Sequence, residues 1–296
     1  MSTFLGHVGG GTIEPLQVAG LTVVAAAYLF RSRTLAEEGR PVPVWRAACF
    51  AAGIILIAAG LVSPLSHMGG ELLLAHMAQH LLIGDIAAGL IVAGLTGPLL
   101  QPLLAIRVID RLRILVHPLV ALPLWAASLY IWHIPSLYQA SLSSESVHAL
   151  QHMCFIGFGI LMWMPLFGPL PKPAWFGIGA KLGYVVGVRF TGTVLANVFM
   201  WSNTVFYPDY APGEADFGIS ALSDQGTAGT IMMIEGGFVT LGILCWLFLL
   251  WAKQDTERQR LIELAEERGV ELPEGRAERA VSAGQGARLE ERIRNA

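Results

Sequence analysis

The sequence predicts an all-α fold, a polytopic membrane helix bundle with seven transmembrane helices, the N-terminus outside and the C-terminus cytoplasmic. Hydrophobic residues make up 54% of the 296-residue chain and charged residues only 14%, against about 25% in ordinary soluble domains. The apolar residues gather in runs of about the 20 residues that a bilayer-spanning helix needs. The basic residues avoid every second linker between these runs.

Seven apolar runs give the predicted spans, at residues 14–30, 47–64, 72–95, 115–137, 147–168, 183–206 and 227–252. No basic segment precedes the first run, so we expect a retained span rather than a cleaved signal. The chain then divides into an outer N-terminal segment (1–13), a seven-helix transmembrane domain (14–252) and a charged cytoplasmic tail (253–296).

Basic residues set the expected orientation. All 19 Lys and Arg residues fall at the odd-numbered linkers or in the tail, and positive charge marks the cytoplasmic side of a membrane protein. The tail alternates charge signs and reads as a cytoplasmic helix that ends at Gly269. A solvated tail or a partner-binding arm is its expected role. A basic nucleic-acid surface is absent, so we expect the lipid bilayer and no nucleic acid among the partners.

Two histidine pairs carry the strongest chemical signal. His76 and His80 lie four residues apart in the third span, as do His148 and His152 in the fifth. That spacing puts both imidazoles of a pair on one helix face, as in helical HxxxH metal sites. Both pairs lie towards the outer side, on helices that we expect to be antiparallel neighbours. A shared metal or cofactor site is predicted, and interfacial hydrogen bonding by each histidine is the alternative.

His133, in YIWHIPSLY, ends the fourth span and is the natural fifth ligand or a supporting partner. Pro135 is expected to kink or end that helix. Methionines near the outer face favour Cu(I), which accepts thioether and imidazole ligands. Of the other histidines, His7 lies in the N-terminal segment, and His117 is expected on the inner side.

Two carboxyl groups lie in predicted spans, Asp85 in the third and Glu235 in the seventh, at comparable depth. Because such groups are costly in lipid, they are functional candidates: they could share a proton or neutralise a moving cation. Structural pairing with neighbouring helices, including Arg189, is the alternative. Asp224 and Gln225 open the seventh span, where Asp224 could cap the helix or orient a ligating imidazole.

Four motifs together resemble the CtaG-type cytochrome c oxidase assembly proteins, which are seven-span bacterial membrane proteins associated with maturation of haem–copper oxidases. They are HMAQH, WHIPSLY, HALQH leading to WMPLFGP, and DQGTAGTIMM. The resemblance covers residues 14–252 and implies oxidase assembly in the bacterial plasma membrane, with copper as the metal handled. The matched positions are His76, His80, His133, His148, His152, Asp224 and Gln225.

The resulting hypothesis is a copper-binding assembly factor that passes copper to an oxidase subunit by ligand exchange, with an outer-side copper chaperone as a further candidate partner. It involves no turnover chemistry, so we expect no enzyme. Three rivals remain open. A haem protein would use two imidazoles from different helices, such as His80 and His152. A cation transporter would use Asp85 and Glu235 as a relay, and a structural scaffold would use the histidines only for hydrogen bonds.

Overall fold

A computed structural model describes residues 15–295, with side chains from residue 17 onwards. These residues form helices and no strands, which confirms the all-α prediction. The predicted outer segment 1–13, with His7, lies outside the described residues.

The helices are numbered here in chain order. They are α1 (Pro15–Glu37), α2 (Val44–Val62), α3 (Pro64–Gly69), α4 (Leu73–Leu81), α5 (Ala88–Gly94), α6 (Gly97–Leu104), α7 (Arg107–Leu112), α8 (Pro118–Trp132), α9 (Pro135–Ser143), α10 (Glu145–Phe167), α11 (Ile178–Trp201), α12 (Ala211–Phe217), α13 (Ala221–Glu267), α14 (Glu274–Ser282) and α15 (Gly286–Arg294). A π-helical turn (Leu82–Ala87) joins α4 to α5, and short 3₁₀ turns occupy Arg113–Val116 and Pro208–Tyr210.

Among the described residues, five helices are long and apolar enough to cross a membrane: Val44–Val62, Leu73–Gly94, Glu145–Phe167, Ile178–Trp201 and Ala221–Glu267. A sixth is present if Arg107–Val116 and Pro118–Trp132, which are bent by 79° from each other, form one span. The chain is therefore a helical membrane protein. The first predicted run forms α1, which is not among these helices, so the count of seven spans stays a prediction.

Helix α1 packs on α2 and α5 through one aromatic residue. The ring of Tyr28 stacks on that of Phe50 at a centroid distance of 3.7 Å. Its hydroxyl donates a hydrogen bond to the carbonyl oxygen of Gly94, at 3.2 Å. The first predicted run is thus packed against the second and third.

The chain divides into two compact units. One includes the described residues up to Pro173 together with Gly187–Gly236, and the other includes Ala174–Val186 with the residues from Gly237 onwards. In the second unit, the end of α13 packs with α14 and α15 around Leu261, Val281 and other apolar residues. The tail is therefore folded around a small core of its own.

In the first unit, α10 lies very close to the π turn that follows α4. A Cβ atom placed on Gly159 would overlap the carbonyl oxygen of Gly84, so only glycine permits this approach. Trp163, one turn further along α10, donates a hydrogen bond to the carbonyl oxygen of Asp85 at 2.9 Å. These contacts bring the two histidine-bearing helices together along their lengths.

Proline and glycine end two helices where the sequence indicates. Helix α8 ends at Trp132, and Pro135 opens α9 at a position where its missing N–H costs nothing. Helix α13 ends at Glu267, before Gly269 with φ +65°, as expected. It begins at Ala221 rather than near residue 227, which places Asp224 and Gln225 inside its first turns, and it has no break at residue 252.

Candidate metal site

Four imidazoles from two helices form one cluster in the first unit, the histidine cluster of His76, His80, His148 and His152. Within each pair the ring centroids are 4.2 Å apart on α4 and 4.1 Å apart on α10. Across the helices, His76 faces His148 and His80 faces His152, both at 5.4 Å. The structure thus brings the two predicted pairs together.

The two helices run parallel, so the expectation of antiparallel neighbours was wrong. Partner positions increase together along both chains, from His76 opposite His148 to Gly84 opposite Gly159. In the predicted topology a single span separates spans three and five, so both would start on the same membrane face. The matching depth of the two pairs is unaffected.

Three members of the cluster meet the spacing of a metal site. One ligand nitrogen each from His76, His80 and His148 lies within 4.8 Å of the others. Nitrogens bound to one ion at about 2 Å lie at most about 4 Å apart, so small ring rotations are enough to converge them. His152 adjoins this group through its ring contacts with both His80 and His148.

Hydrogen bonds fix which nitrogen of His76 faces the cluster. Its Nδ1 lies 3.1 Å from the carbonyl oxygen of Gly69 and 3.0 Å from the hydroxyl of Tyr210. Because a carbonyl can only accept, Nδ1 carries the proton. The Nε2 atom has no hydrogen-bond partner within the described residues, so its lone pair is available to a ligand.

His80 and His152 are buried without hydrogen bonds. Neither ring nitrogen of either residue has a hydrogen-bond partner among the side chains and backbone of residues 15–295. Buried polar atoms are almost always paired with protein, water or an ion. The alternative in which each histidine serves interfacial hydrogen bonding therefore gains no support from these two residues. His148 is only half-buried.

His133 lies at the end of α8 and is buried among aromatic rings. Its Nδ1 lies 2.6 Å from the carbonyl oxygen of Leu129, which leaves Nε2 unprotonated and without a partner in the described chain. Its ring contacts Tyr138, Phe155 and Phe199 at centroid distances of about 6 Å. His133 thus adjoins the histidine cluster through aromatic residues and is not a member of the three-histidine group.

Three buried tyrosines support the cluster, and two of them come from a loop that carried no sequence signal. The hydroxyls of Tyr138 and Tyr210 lie 3.0 Å apart, and Tyr207 donates to the carbonyl oxygen of His133 at 2.8 Å. Burial raises the pKa values of Tyr207 and Tyr210 above the ordinary value, so both phenols keep their protons. The chain Tyr138–Tyr210–His76 therefore anchors an imidazole from outside its own helix.

Asp224 and Gln225 bind backbone rather than imidazole in this structure. The carboxylate of Asp224 accepts hydrogen bonds from the N–H groups of Leu73 and Leu74, at 2.7 and 3.0 Å. It caps α4, the helix that carries His76 and His80, rather than its own helix. Gln225 accepts from the N–H of Phe206 at 3.0 Å and so holds the loop that supplies the two tyrosines.

Asp85 and Glu235 lie within hydrogen-bonding reach of each other. Because carboxylates only accept hydrogen bonds, such a contact needs one proton between the two groups. Arg189 does not pair with Asp85, since its guanidinium donates to the carbonyl oxygen of Met233 at 2.9 Å. The two carboxyl groups are therefore close enough to share a proton, which is one of the two roles that the sequence left open. Asp85 lies in the π turn that follows the first histidine pair.

The close spacing of the rings favours a single ion over a porphyrin. A haem held by His80 and His152 would need a planar slot between them. Their rings are 5.4 Å apart, and His76 and His148 occupy positions alongside. An all-imidazole donor set suits the later first-row transition metals, copper and zinc included.

Comparison with known proteins identifies one family. A family model described as cytochrome c oxidase caa3 assembly factor (Caa3_CtaG) matches residues 26–254, which include the histidine cluster, His133, Asp224 and the carboxyl groups of Asp85 and Glu235. No curated protein and no solved structure gives a significant match. Because the matched segment covers most of the sequence, the chain belongs to the cytochrome c oxidase caa3 assembly factor family.

Proposed function

We propose that this protein binds copper in the histidine cluster and delivers it to a cytochrome c oxidase during assembly. Family membership supports the role in oxidase assembly. The observation that carries the metal site is the pair His80 and His152, two buried imidazoles without hydrogen-bond partners beside a convergent three-histidine group. Copper is the cargo in this proposal, so the protein is an assembly factor and not an enzyme.

The proposed setting is the bacterial plasma membrane. We propose seven spans with the N-terminus outside and the C-terminus cytoplasmic. The confinement of all 19 basic residues to one side supports this orientation, and the packing of α1 on α2 supports a first span. The histidine cluster then faces the outer side, where an outer-side copper chaperone would supply it and an oxidase subunit would receive the metal.

The side chains of the cluster suit reversible binding. Neutral imidazoles hold a soft cation without adding fixed charge to the membrane interior. His76 is anchored at Nδ1, so its Nε2 stays directed at the cargo, whereas the half-buried His148 is the ligand most accessible to a partner. Exchange of His148 for a ligand of the acceptor protein is therefore the proposed first step of release.

Anaerobic Cu(I) titration of the full-length protein in detergent, against a competing chelator, tests the proposal. We expect saturable binding that is lost in the His80→Ala/His152→Ala variant. A matched control, His67→Ala/His117→Ala, removes two histidines outside the cluster and should bind copper normally. Equal binding by the wild type and the cluster variant would refute the site. A Soret band in the purified protein would favour haem instead.

A second candidate function is cation transport, which the contact between Asp85 and Glu235 favours. This function predicts cation uptake into proteoliposomes that Asp85→Asn abolishes while Cu(I) affinity at the cluster is unchanged. Our proposal predicts no such uptake.

A further inference from the structure

The histidine cluster has a second polar group as its neighbour, the carboxyl pair of Asp85 and Glu235. Helix α4, which carries His80, ends at Leu81, and Asp85 lies in the π turn that follows. Five residues separate His80 from Asp85, which corresponds to about 7 Å along the helix axis. A metal ion in the cluster would therefore lie on the order of 10 Å from the carboxyl pair.

An apolar contact lies between the two groups. The ring of Phe155 packs on that of His80 at a centroid distance of 4.4 Å. Phe155 also lies against Gly84, where an added Cβ atom would come within 3.1 Å of the Cβ atom of Phe155. Gly84 immediately precedes Asp85 in the chain. Charges that interact across such a packed interior are screened much less than in water, so the charge of a bound ion acts on the carboxyl pair.

The carboxyl pair has a place for one proton. Asp85 Oδ1 and Glu235 Oε1 are buried, and neither has a hydrogen-bond partner among the described residues. The two side chains lie within hydrogen-bonding reach of each other. Because an ionised carboxylate cannot donate a hydrogen bond, a single shared proton satisfies both groups.

The charges around the pair balance when it holds that proton. Arg189 faces it from α11, with Nη1 beside Gly236, where an added Cβ atom would overlap it. Trp163 of α10 donates to the backbone of Asp85 and carries no charge. With one proton, the pair has a charge of −1 that the fixed charge of Arg189 cancels. The neutral imidazoles of the histidine cluster add nothing to this sum.

We propose that copper binding at the histidine cluster releases the proton that Asp85 and Glu235 share. This inference rests on the proposed copper function. Cu(I) adds one positive charge to a region of zero charge, and loss of the proton restores the balance that a membrane interior favours. No electron is transferred, since the copper ion binds imidazole nitrogens and the proton passes to solvent. Because linkage is reciprocal, a proton on the pair favours release of copper to the acceptor.

The distance between the two groups sets the expected size of the linkage. A unit charge at about 10 Å, with an effective dielectric constant of about 20, changes the affinity of the pair for its proton roughly tenfold. A tenfold change releases at most about half a proton per copper ion, at the pH where the pair is half protonated. The same tenfold factor limits the rise in Cu(I) affinity across that pH range.

Proton release on copper binding tests this inference. Cu(I), supplied anaerobically as its acetonitrile complex, is added to the full-length protein in weakly buffered detergent solution, and a pH indicator counts the released protons from about pH 5 to about pH 9. Asp85→Asn keeps a donor for Glu235 but removes the shared proton, so the release should fall by up to about half a proton per copper ion. Protons that leave the imidazoles at acid pH are common to both proteins.

The matched control is Asp209→Asn, which removes an exposed carboxyl group from an outer loop and should release protons like the wild type. Equal release by the wild type and Asp85→Asn, with copper bound to both, would overturn the linkage and leave the copper site intact. Failure of the wild type to bind Cu(I) would refute the proposed function and this inference together.

Infrared spectroscopy of the copper-free protein gives a second measurement. The carbonyl band of a protonated carboxyl group should be stronger in the wild type than in Asp85→Asn or Glu235→Gln, and it should weaken when copper is added to the wild type. Identical spectra of the wild type and a folded variant would show that the pair holds no proton. If neither variant folds, the effect of copper on the band in the wild type decides: an unchanged band would overturn the inference.

Discussion

The two histidine pairs belong to the same five-residue pattern, H-x-x-Q-H, but their glutamines have different environments. Gln79, in the first pattern, donates to the carbonyl oxygen of Gly60 at 2.9 Å. That carbonyl has no helical partner because residue 64 is a proline without an N–H. Gln151, in the second pattern, is fully buried within reach of the His76 imidazole, and neither of its amide atoms makes a well-formed hydrogen bond among the described residues.

The difference indicates that the glutamine of the first pattern has a structural role, whereas the glutamine of the second pattern is available to a ligand. Gln79 completes the end of α2, and its removal leaves a buried carbonyl unpaired. Gln151 has unfilled hydrogen-bonding capacity inside the histidine cluster, as do His80 and His152. If copper is the cargo, Gln151 is the residue best placed to hold a water molecule or an incoming ligand next to it.

The largest expected effect is on the histidine that has an anchor outside its own helix. His76→Ala should lower Cu(I) affinity more than a hundredfold, beyond the 10–100-fold that loss of a supporting residue typically costs. Chelator competition measures the affinity, and circular dichroism checks the fold. His67→Ala, which removes a histidine paired with Glu71 at 3.5 Å, should leave the affinity unchanged. Full Cu(I) affinity in His76→Ala would show that the first pattern does not bind the metal.

The glutamines should separate stability from affinity. Gln79→Leu should destabilise the protein by about 1–3 kcal/mol, because the Gly60 carbonyl is left unpaired, and should change Cu(I) affinity little. Gln151→Leu should lower the affinity about tenfold without loss of stability, because it removes a buried unpaired amide. Thermal unfolding and Cu(I) titration of both variants measure the two quantities. The same response in both variants would show that the two patterns are equivalent.

The cap supplied by Asp224 should affect stability in a similar but smaller way. Asp224→Ala removes the acceptor for two N–H groups at the start of α4, and loss of such a cap costs about 0.5–2 kcal/mol. The midpoint of thermal unfolding measures this loss. Ser223→Ala, at the exposed neighbouring position, is the control and should unfold like the wild type. Unchanged stability in Asp224→Ala would mean that the cap is dispensable.

The smallest expected effect is on the tyrosine anchor. Tyr210→Phe removes the hydroxyl near His76, but the Gly69 carbonyl still holds Nδ1, so the affinity for Cu(I) should fall by less than about tenfold. Tyr207→Phe, which loses a hydrogen bond to the backbone of His133, is the matched control. A larger loss of Cu(I) affinity in Tyr207→Phe than in Tyr210→Phe would show that the cluster depends more on the position of His133 than on the hydroxyl of Tyr210.

Much of the fold was predictable because local pattern decides it. The apolar runs located six of the helices that the structure contains between α2 and α13, and Pro135 and Gly269 marked two helix ends. The bend before Pro118 was missed, since it depends on how Arg107–Val116 packs rather than on hydropathy. The length of α13 was underestimated because the charged tail continues the helix that the apolar run begins.

The site was predictable where spacing alone determines it. Histidines four residues apart must share a helix face, and two such pairs at equal depth did converge. Tyr207 and Tyr210 could not be anticipated, because they reach the cluster through a loop whose position Gln225 fixes by long-range hydrogen bonds. Gln151 did leave a signal, the repeated H-x-x-Q-H, but the signal shows only that two helices share a pattern.

The π turn at Leu82–Ala87 has a consequence for how the length of this segment can change. A π turn contains one residue more per turn than an α-helix, and that residue sets the rotation between His80 and Asp85. Deleting one residue here would restore a regular α-helix and turn everything after it away from its present neighbours, including the carboxyl that faces Glu235. A loop would absorb a one-residue insertion or deletion. In this helical segment the same change would separate the imidazoles from the carboxyl pair without replacing any residue of either. In this segment the number of residues determines the structure as much as their identity does.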